Sequence, residues 1–309
     1  MICTNRLSKY KGFTMKISDA HIHEKNEELN TEYGDLHAWS PSNPEVVGII
    51  EKWYNVVGFP KKFDEEFKVA LKEIEISDTI TIDTYNTDEP DGRRNLLSFL
   101  YMCEALKARY DEKGISEEIL KDTVSNIVEW TQTWSGLKNS LYLGECHWLK
   151  RHFSMELFKL GRLHYALGKS DCDIPEFGVL EGDNIVEVHI PSDGSFAKSE
   201  CEKSFVMARK FFAEYFPEYD YKCFACHSWL LDDSIADLLS PSSNILAFQR
   251  MFTPIRADES DDIFKYVFDY GTTRLNISEK VPTSSLAQKI KDRALSGGKF
   301  YEVLGAIKK

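Results

Sequence analysis

The stretch that decides the fold runs from residue 184 to 252. It reads NIVEVHIPSDGSFAKSECEKSFVMARKFFAEYFP (184–217), then YKCFACHSWLLDDSIADLLSPSSNILAFQRMF (221–252). A short apolar segment ends in His189-Ile190-Pro191, and Val186, Val188 and Ile190 alternate with Glu187 and His189. That period of two predicts a strand over 185–190. A polar turn follows, with one glycine, Gly194. Apolar residues at Cys201, Phe205, Ala208, Phe212 and Tyr215 then recur at helical spacing and predict a helix over 200–216. A second apolar run, 222–230, predicts another strand. Strand, loop, long helix and strand within some fifty residues is the signature of an α/β crossover.

Outward from this frame, the first half of the chain reads as helices. Ser42-Asn43-Pro44 opens one, with proline at the first helical position, and Gly58 with Pro60 closes it. A second is expected over 63–75 and a third over 95–113, stopped by Gly114. Ser116-Glu117-Glu118 places a cap and two acids at the start of a helix expected to run on through Leu120, Val124, Ile127, Thr131 and Trp134. A further helix is expected over 146–157, and 78–94 reads as loop or short strand. The pattern changes near residue 160. Strands are expected at 162–167, 185–190, 222–230, 245–253 and 300–307, with short helices at 232–239 and 284–295. The fold class is therefore α/β (α+β), a helical N-terminal domain (1–138) followed by a mixed-sheet C-terminal domain (139–309).

Composition narrows the function. The chain has 309 residues, with 38 Lys and Arg against 50 Asp and Glu, a net charge of −12. There is no basic surplus to neutralise a phosphate backbone, which argues against nucleic acid as a partner. No apolar run approaches the length of a membrane span, and the N-terminal segment lacks the apolar core of a signal peptide. The seven cysteines are scattered, several on apolar faces, which fits reduced thiols and a cytoplasmic location.

The same words resemble the GNAT-like acyltransferase family, which joins a helical N-acyltransferase domain to a GNAT-like domain. The resemblance is carried by HWLKRHFSMELFKLGRLHY (147–165), VEVHIPSDG (186–194), FFAEYFP (211–217), CHSWLLD (226–232), SNILAFQRMF (243–252) and TSSLAQKIKDRALSGGKF (283–300). It spans 95–309 and is less clear over 1–94. It implies an acyl-CoA co-substrate whose pantetheine arm lies where two central strands splay apart. Val188, His189 and Ile190 would pair with the arm, and Asp193, Gly194 and Ser195 would face the pyrophosphate at the tip of the following helix. The family's phosphate loop is Q/R-x-x-G-x-G/A; here Pro191-Ser192-Asp193-Gly194-Ser195-Phe196 holds one glycine with an acid beside it. The implied activity is transfer of an acyl group to an amine or hydroxyl of a small acceptor. A GNAT-like module that binds ligand without turnover is the alternative.

Candidate chemistry lies on the two central strands. Glu187 and His189 share one strand face, because side chains alternate. Together with His227 on the second strand they are the candidate catalytic groups for proton transfer. His227 and Ser228 diverge and cannot form a nucleophile–base pair. Three further motifs are set aside. Cys223-x-x-Cys226-His227 spells a haem-attachment pattern, but inside a strand. The same two cysteines lack a second pair for zinc. Asp19-x-His21-x-His23 resembles a barrel metal strand, but no alternating strands and helices follow it.

Overall fold

The structure, a computed structural model, describes residues 43–74, 85 and 87–309. His21, His23 and the stretch 1–14 lie outside these residues, as do 78–84 and 86 of the expected loop or short strand. The chain divides between Leu160 and Gly161 into two compact units.

The described part of the first unit is helical. Helix α1 (Pro44–Val56) opens where Asn43 accepts hydrogen bonds from the backbone N–H groups of Glu45 and Val46, as an N-cap does. It buries Val46, Ile50, Trp53 and Tyr54, one stripe of a 3.6-residue period. Helix α2 (Asp64–Glu73) carries three acids in its first turn, where the helix dipole favours them. Helix α3 (Gly92–Lys113) starts ahead of the expected residue 95 because Asp91 takes the cap, and it stops at Gly114 with φ +71°. The indole N–H of Trp53 donates to Glu104 at 2.7 Å, tying α1 to α3.

Two expectations fail here for local reasons. The single helix after Ser116 is two, α4 (Glu117–Val124) and α5 (Asn126–Lys138). The break is at Ser125, whose hydroxyl donates to the carbonyl of Asp122 and competes with the helical ladder. The helix expected over 146–157 is α6 (Cys146–Phe153). Met155 then takes a left-handed conformation, and strand β1 (Leu157–Leu160) begins.

The second unit alternates strands and helices. In order come β2 (Leu163–Lys169), β3 (Asn184–His189), α7 (Lys198–Tyr215), β4 (Cys223–Ser228), α8 (Asn244–Gln249), β5 (Thr253–Glu259), α9 (Ile263–Val267), α10 (Ser285–Leu295) and β6 (Tyr301–Lys308). Among the described residues of this unit the strands form a sheet in the order β2-β3-β4-β6-β5. β3 and β4 are parallel, as a helical crossover requires. The other registers, β2 on β3, β4 on β6 and β5 on β6, are antiparallel. This is the mixed α/β sheet expected from the sequence.

Helix α7 covers one face. Its Phe205 meets Tyr165 of β2 at 5.7 Å and Phe224 of β4 at 5.3 Å, both edge-on, a favoured ring geometry. Burying each such ring is worth about 2–3 kcal/mol. Tyr215 was expected on this buried face but is only half-buried, and Ser204 and Phe211 are buried in addition.

The strand expected over 245–253 is mostly helix α8. The Ser243 hydroxyl caps it through the N–H of Ile245, and Leu246 and Phe248 face inward. Strand β5 starts only at Thr253. Thr253, Arg256, Asp258 and Glu259 are polar and most of the strand is exposed, so its stability comes from the backbone ladder with β6, and Ile255 and Ala257 alone are too short an apolar pattern to read. A separate apolar cluster of Ile235, Ile263, Phe264, Ile277, Ile290 and Phe300 packs beneath the last helices.

Candidate active site where two central strands part

The ladder between β3 and β4 holds two residue pairs, Val186 with Phe224 and Glu187 with Ala225. Both strands continue past it, but with other neighbours. β3 stays alongside β2 as far as His189, which pairs with His164. β4 stays alongside β6 as far as Ser228, which pairs with Val303. The two central strands therefore cease to pair after Glu187 and Ala225, in the region where the resemblance implies a splay. Carried two residues further, the register sets His189 opposite His227 across the parting.

Alternation puts the polar groups on one face, opposite α7. From β2 come His164, Ala166 and Gly168; from β3, Glu187 and His189; from β4, His227; from β6, Glu302; and from β5, Arg256 and Asp258. Of the expected catalytic set, Glu187 and His189 are in direct contact: His189 Nε2 lies 3.1 Å from Glu187 Oε2. Glu187 is only 5% exposed, while the His189 side chain is 36% exposed. A buried carboxylate thus orients a half-open imidazole, and places its proton on Nε2 when neutral. His227 stands apart on β4, with Nε2 3.6 Å from Asp258 Oδ2. Burial and the nearby Arg256 hold its pKa below the usual histidine value, against the pull of Asp258 and Asp171.

Gly168 makes room for the Glu187 carboxylate. A Cβ built there would stand 2.8 Å from Glu187 Cγ and 2.9 Å from its Cδ, closer than side chains approach. A glycine inside a strand pattern is the sequence signal that could have flagged this close approach.

The loop between β3 and α7 holds the expected phosphate-facing residues. Asp193, Gly194 and Ser195 are exposed, and Gly194 takes φ +74°, which favours glycine. Ala197 occupies the N-cap of α7 and gives it no side-chain hydrogen bond, so Asp193 is not the cap. The loop is pinned from below by Arg162, which sequence reasoning placed only at a strand start. Its Nε donates to the carbonyl of Ser195 and its Nη2 to that of Pro191, both at 2.9 Å, and its guanidinium lies over the Phe196 ring. No local pattern marks this role, because the partners lie 29 and 33 residues away. A pocket of about 400 Å³ lies beneath the loop, lined by Arg162, Ser195, Glu200, Lys203 and Met207 among others. It contains none of the proton-transfer candidates.

Glu302 also escaped the sequence reading. Burial, with Asp262 adding to it, pushes its pKa from 4.5 up to about 7. The cysteines of the C-x-x-C-H motif are buried, and their odd spacing sends them to opposite strand faces. Burial pushes the Cys223 thiol up to about 11 and the Cys226 thiol further. Among the described residues no helix is long and apolar enough to cross a membrane.

Comparison with known proteins agrees with this fold. Residues 61–155 match the model of the N-acyltransferase N-terminal domain, and 157–307 that of the GNAT-like C-terminal domain. The chain belongs to the GNAT-like acyltransferase family. The match extends the resemblance read over 95–309 back to residue 61. No curated protein matches the chain, but solved structures do. A mutant acyltransferase in complex with octanoyl-CoA is 18% identical, with a TM-score of 0.70 and coverage of 94% of both chains. An acyltransferase in complex with decanoyl-CoA and teicoplanin is 19% identical (TM-score 0.63; 92% of this chain, 83% of the other). One in complex with decanoyl-CoA is 21% identical (TM-score 0.63; 96% and 89%). At these identities the GNAT-like likeness is one of fold.

Proposed function

We propose that this GNAT-like protein transfers an acyl group from a CoA thioester to an amine or hydroxyl of a small acceptor by direct attack. The observation that carries the reading is the parting of β3 and β4 after Glu187 and Ala225, with a buried carboxylate–histidine pair on its lip. Backbone groups of Val188, His189 and Ile190 are suited to hold the thin pantetheine arm in the slot. The loop at Asp193, Gly194 and Ser195 leads to the uncapped first turn of α7, whose N–H groups favour an anion. The similar structures contain octanoyl-CoA or decanoyl-CoA, which makes a medium-chain acyl donor the first to try. One of them contains teicoplanin, so an acceptor of that size enters the screen.

Attack forms a bond from the acceptor nitrogen or oxygen to the acyl carbon and breaks the carbon–sulfur bond. One proton leaves the nucleophile and one reaches the CoA sulfur. Glu187, His189 and His227 are the groups that carry these protons. Holding thioester and acceptor together on one sheet face supplies the rest of the acceleration through proximity. CoA and unpaired buried thiols are both at home in the cytoplasm, where we place the protein.

The test is calorimetric titration with CoA, acetyl-CoA, octanoyl-CoA and decanoyl-CoA, followed by thiol release against a panel of amines and alcohols. Binding and acceptor-dependent thiol release are expected. Binding without release for any acceptor would favour the silent module; no binding at all would remove the transferase reading.

A further inference from the structure

Arg256 is the centre of an ion-pair network beside His227. Its Nε donates to Asp258 Oδ2 at 2.8 Å, and its Nη2 donates to Asp171 Oδ2 at 3.0 Å. Arg256 and Asp258 stand on β5, while Asp171 lies in the turn after β2. Asp258 also approaches His227, but its Oδ2 stops 3.6 Å from Nε2, beyond a good hydrogen bond. That nitrogen is buried and, among the described residues, has no partner within hydrogen-bond distance, so Asp258 acts on it as a nearby charge at the limit of bonding reach.

The balance of charge around the imidazole follows from this arrangement. Two carboxylates, Asp258 and Asp171, favour the imidazolium; one guanidinium and burial oppose it. On the same sheet face β6 presents Glu302 and the apolar Leu304, and β3 presents Glu187 and His189. Among the groups that act on His227, Arg256 is the cation, and it is bonded to both carboxylates that would otherwise charge the ring.

We infer that Arg256 is a positioning residue: by forking onto Asp171 and Asp258 it withholds Asp258 from His227, so that the imidazole stays neutral and accepts a proton during turnover. The inference rests on the acyl-transfer reading. In that reaction one proton passes from the acceptor nucleophile to the departing sulfur. A neutral ring at 227 receives it and passes it on; an imidazolium already formed cannot receive it.

Arg256→Gln, Arg256→Lys and Asp258→Asn in the full chain test this. The ring nitrogens of His227 are followed by NMR from pH 4.5 to 9, melting temperature checks folding, and kcat/KM is profiled against pH with octanoyl-CoA as donor. In Arg256→Gln the His227 midpoint should rise by about one pH unit, and the acid limb of kcat/KM should move up with it. Asp258→Asn should lower the midpoint. Arg256→Lys keeps the charge and should largely restore the wild-type midpoint, and it serves where Arg256→Gln folds poorly. An unmoved His227 midpoint in a folded Arg256→Gln chain overturns the inference whatever the turnover. A moved midpoint with an unmoved acid limb overturns His227 as the proton acceptor. Should the wild-type chain turn over no acyl-CoA, the acyl-transfer reading fails while the titration still decides the role of Arg256.

Discussion

Gly168 of β2 lies against the carboxylate of Glu187 on β3, in space that any Cβ would occupy. The two are one strand apart, on the face opposite α7. The missing side chain lets a charged group sink into the sheet and still reach His189 Nε2 at 3.1 Å.

Gly168→Ala should therefore displace Glu187 and break its bond to His189. Overpacking of this kind costs about 1–3 kcal/mol, which thermal unfolding will register. Turnover should fall by about tenfold or more, in line with loss of a proton-transfer group, while affinity for CoA stays near wild type. A variant with full activity would show that the carboxylate is not needed where it sits.

His189→Gln and Glu187→Gln separate chemistry from binding. If the pair moves protons, kcat should drop by about 10²–10⁴-fold with KM little changed. Steady-state kinetics with one acyl-CoA at several acceptor concentrations reads this split. A rise in KM alone would mean that the pair merely holds substrate.

Arg162→Ala should loosen the loop over 191–195. It removes two hydrogen bonds from a charged donor to the carbonyls of Pro191 and Ser195, worth about 1–3 kcal/mol together where partly exposed. Isothermal titration should show CoA affinity weakened by about tenfold, with kcat at saturation changed less. Unaltered affinity would place the phosphate contacts elsewhere.

Glu302 sets a pH dependence of stability. Burial first, and Asp262 second, raise its carboxyl from 4.5 to about 7 in the folded chain. Between those values the folded state holds a proton that the unfolded state releases. Its contribution is thus most favourable below pH 4.5 and is lost as pH rises through 7. Glu302→Gln removes that loss, so the variant should melt higher than wild type at pH 8, the gap narrowing toward pH 5. Melting curves across that range check the sign.

Local physics made most of the architecture legible. Caps such as Asn43, Ser116 and Ser284 mark helix starts, and Gly114 marks a stop. The stripe from Cys201 to Phe212 shows which side of α7 is buried. What misled the reading was also local. Ser125 breaks a helix whose apolar spacing runs on unbroken. The run over 245–253 is apolar enough for a strand, yet Ser243 caps it as a helix.

That Glu187 and His189 share a strand face is legible in the sequence, which needs only a spacing of two to show it. The sequence also determined the crossover of strand, helix and strand and, through its motifs, the family. Tertiary structure alone decided that β3 and β4 separate after Glu187 and Ala225, since a ladder's end depends on the neighbours each strand finds on its other side. It alone placed Gly168 against Glu187, Arg162 under the loop and Arg256 between Asp171 and Asp258. Arg256 and Asp171 are 85 residues apart in the chain. Asp171 follows β2 and Arg256 stands on β5, strands that are not neighbours in the sheet, so these charges meet only through the tertiary path of the chain, and no periodicity or spacing carries that information.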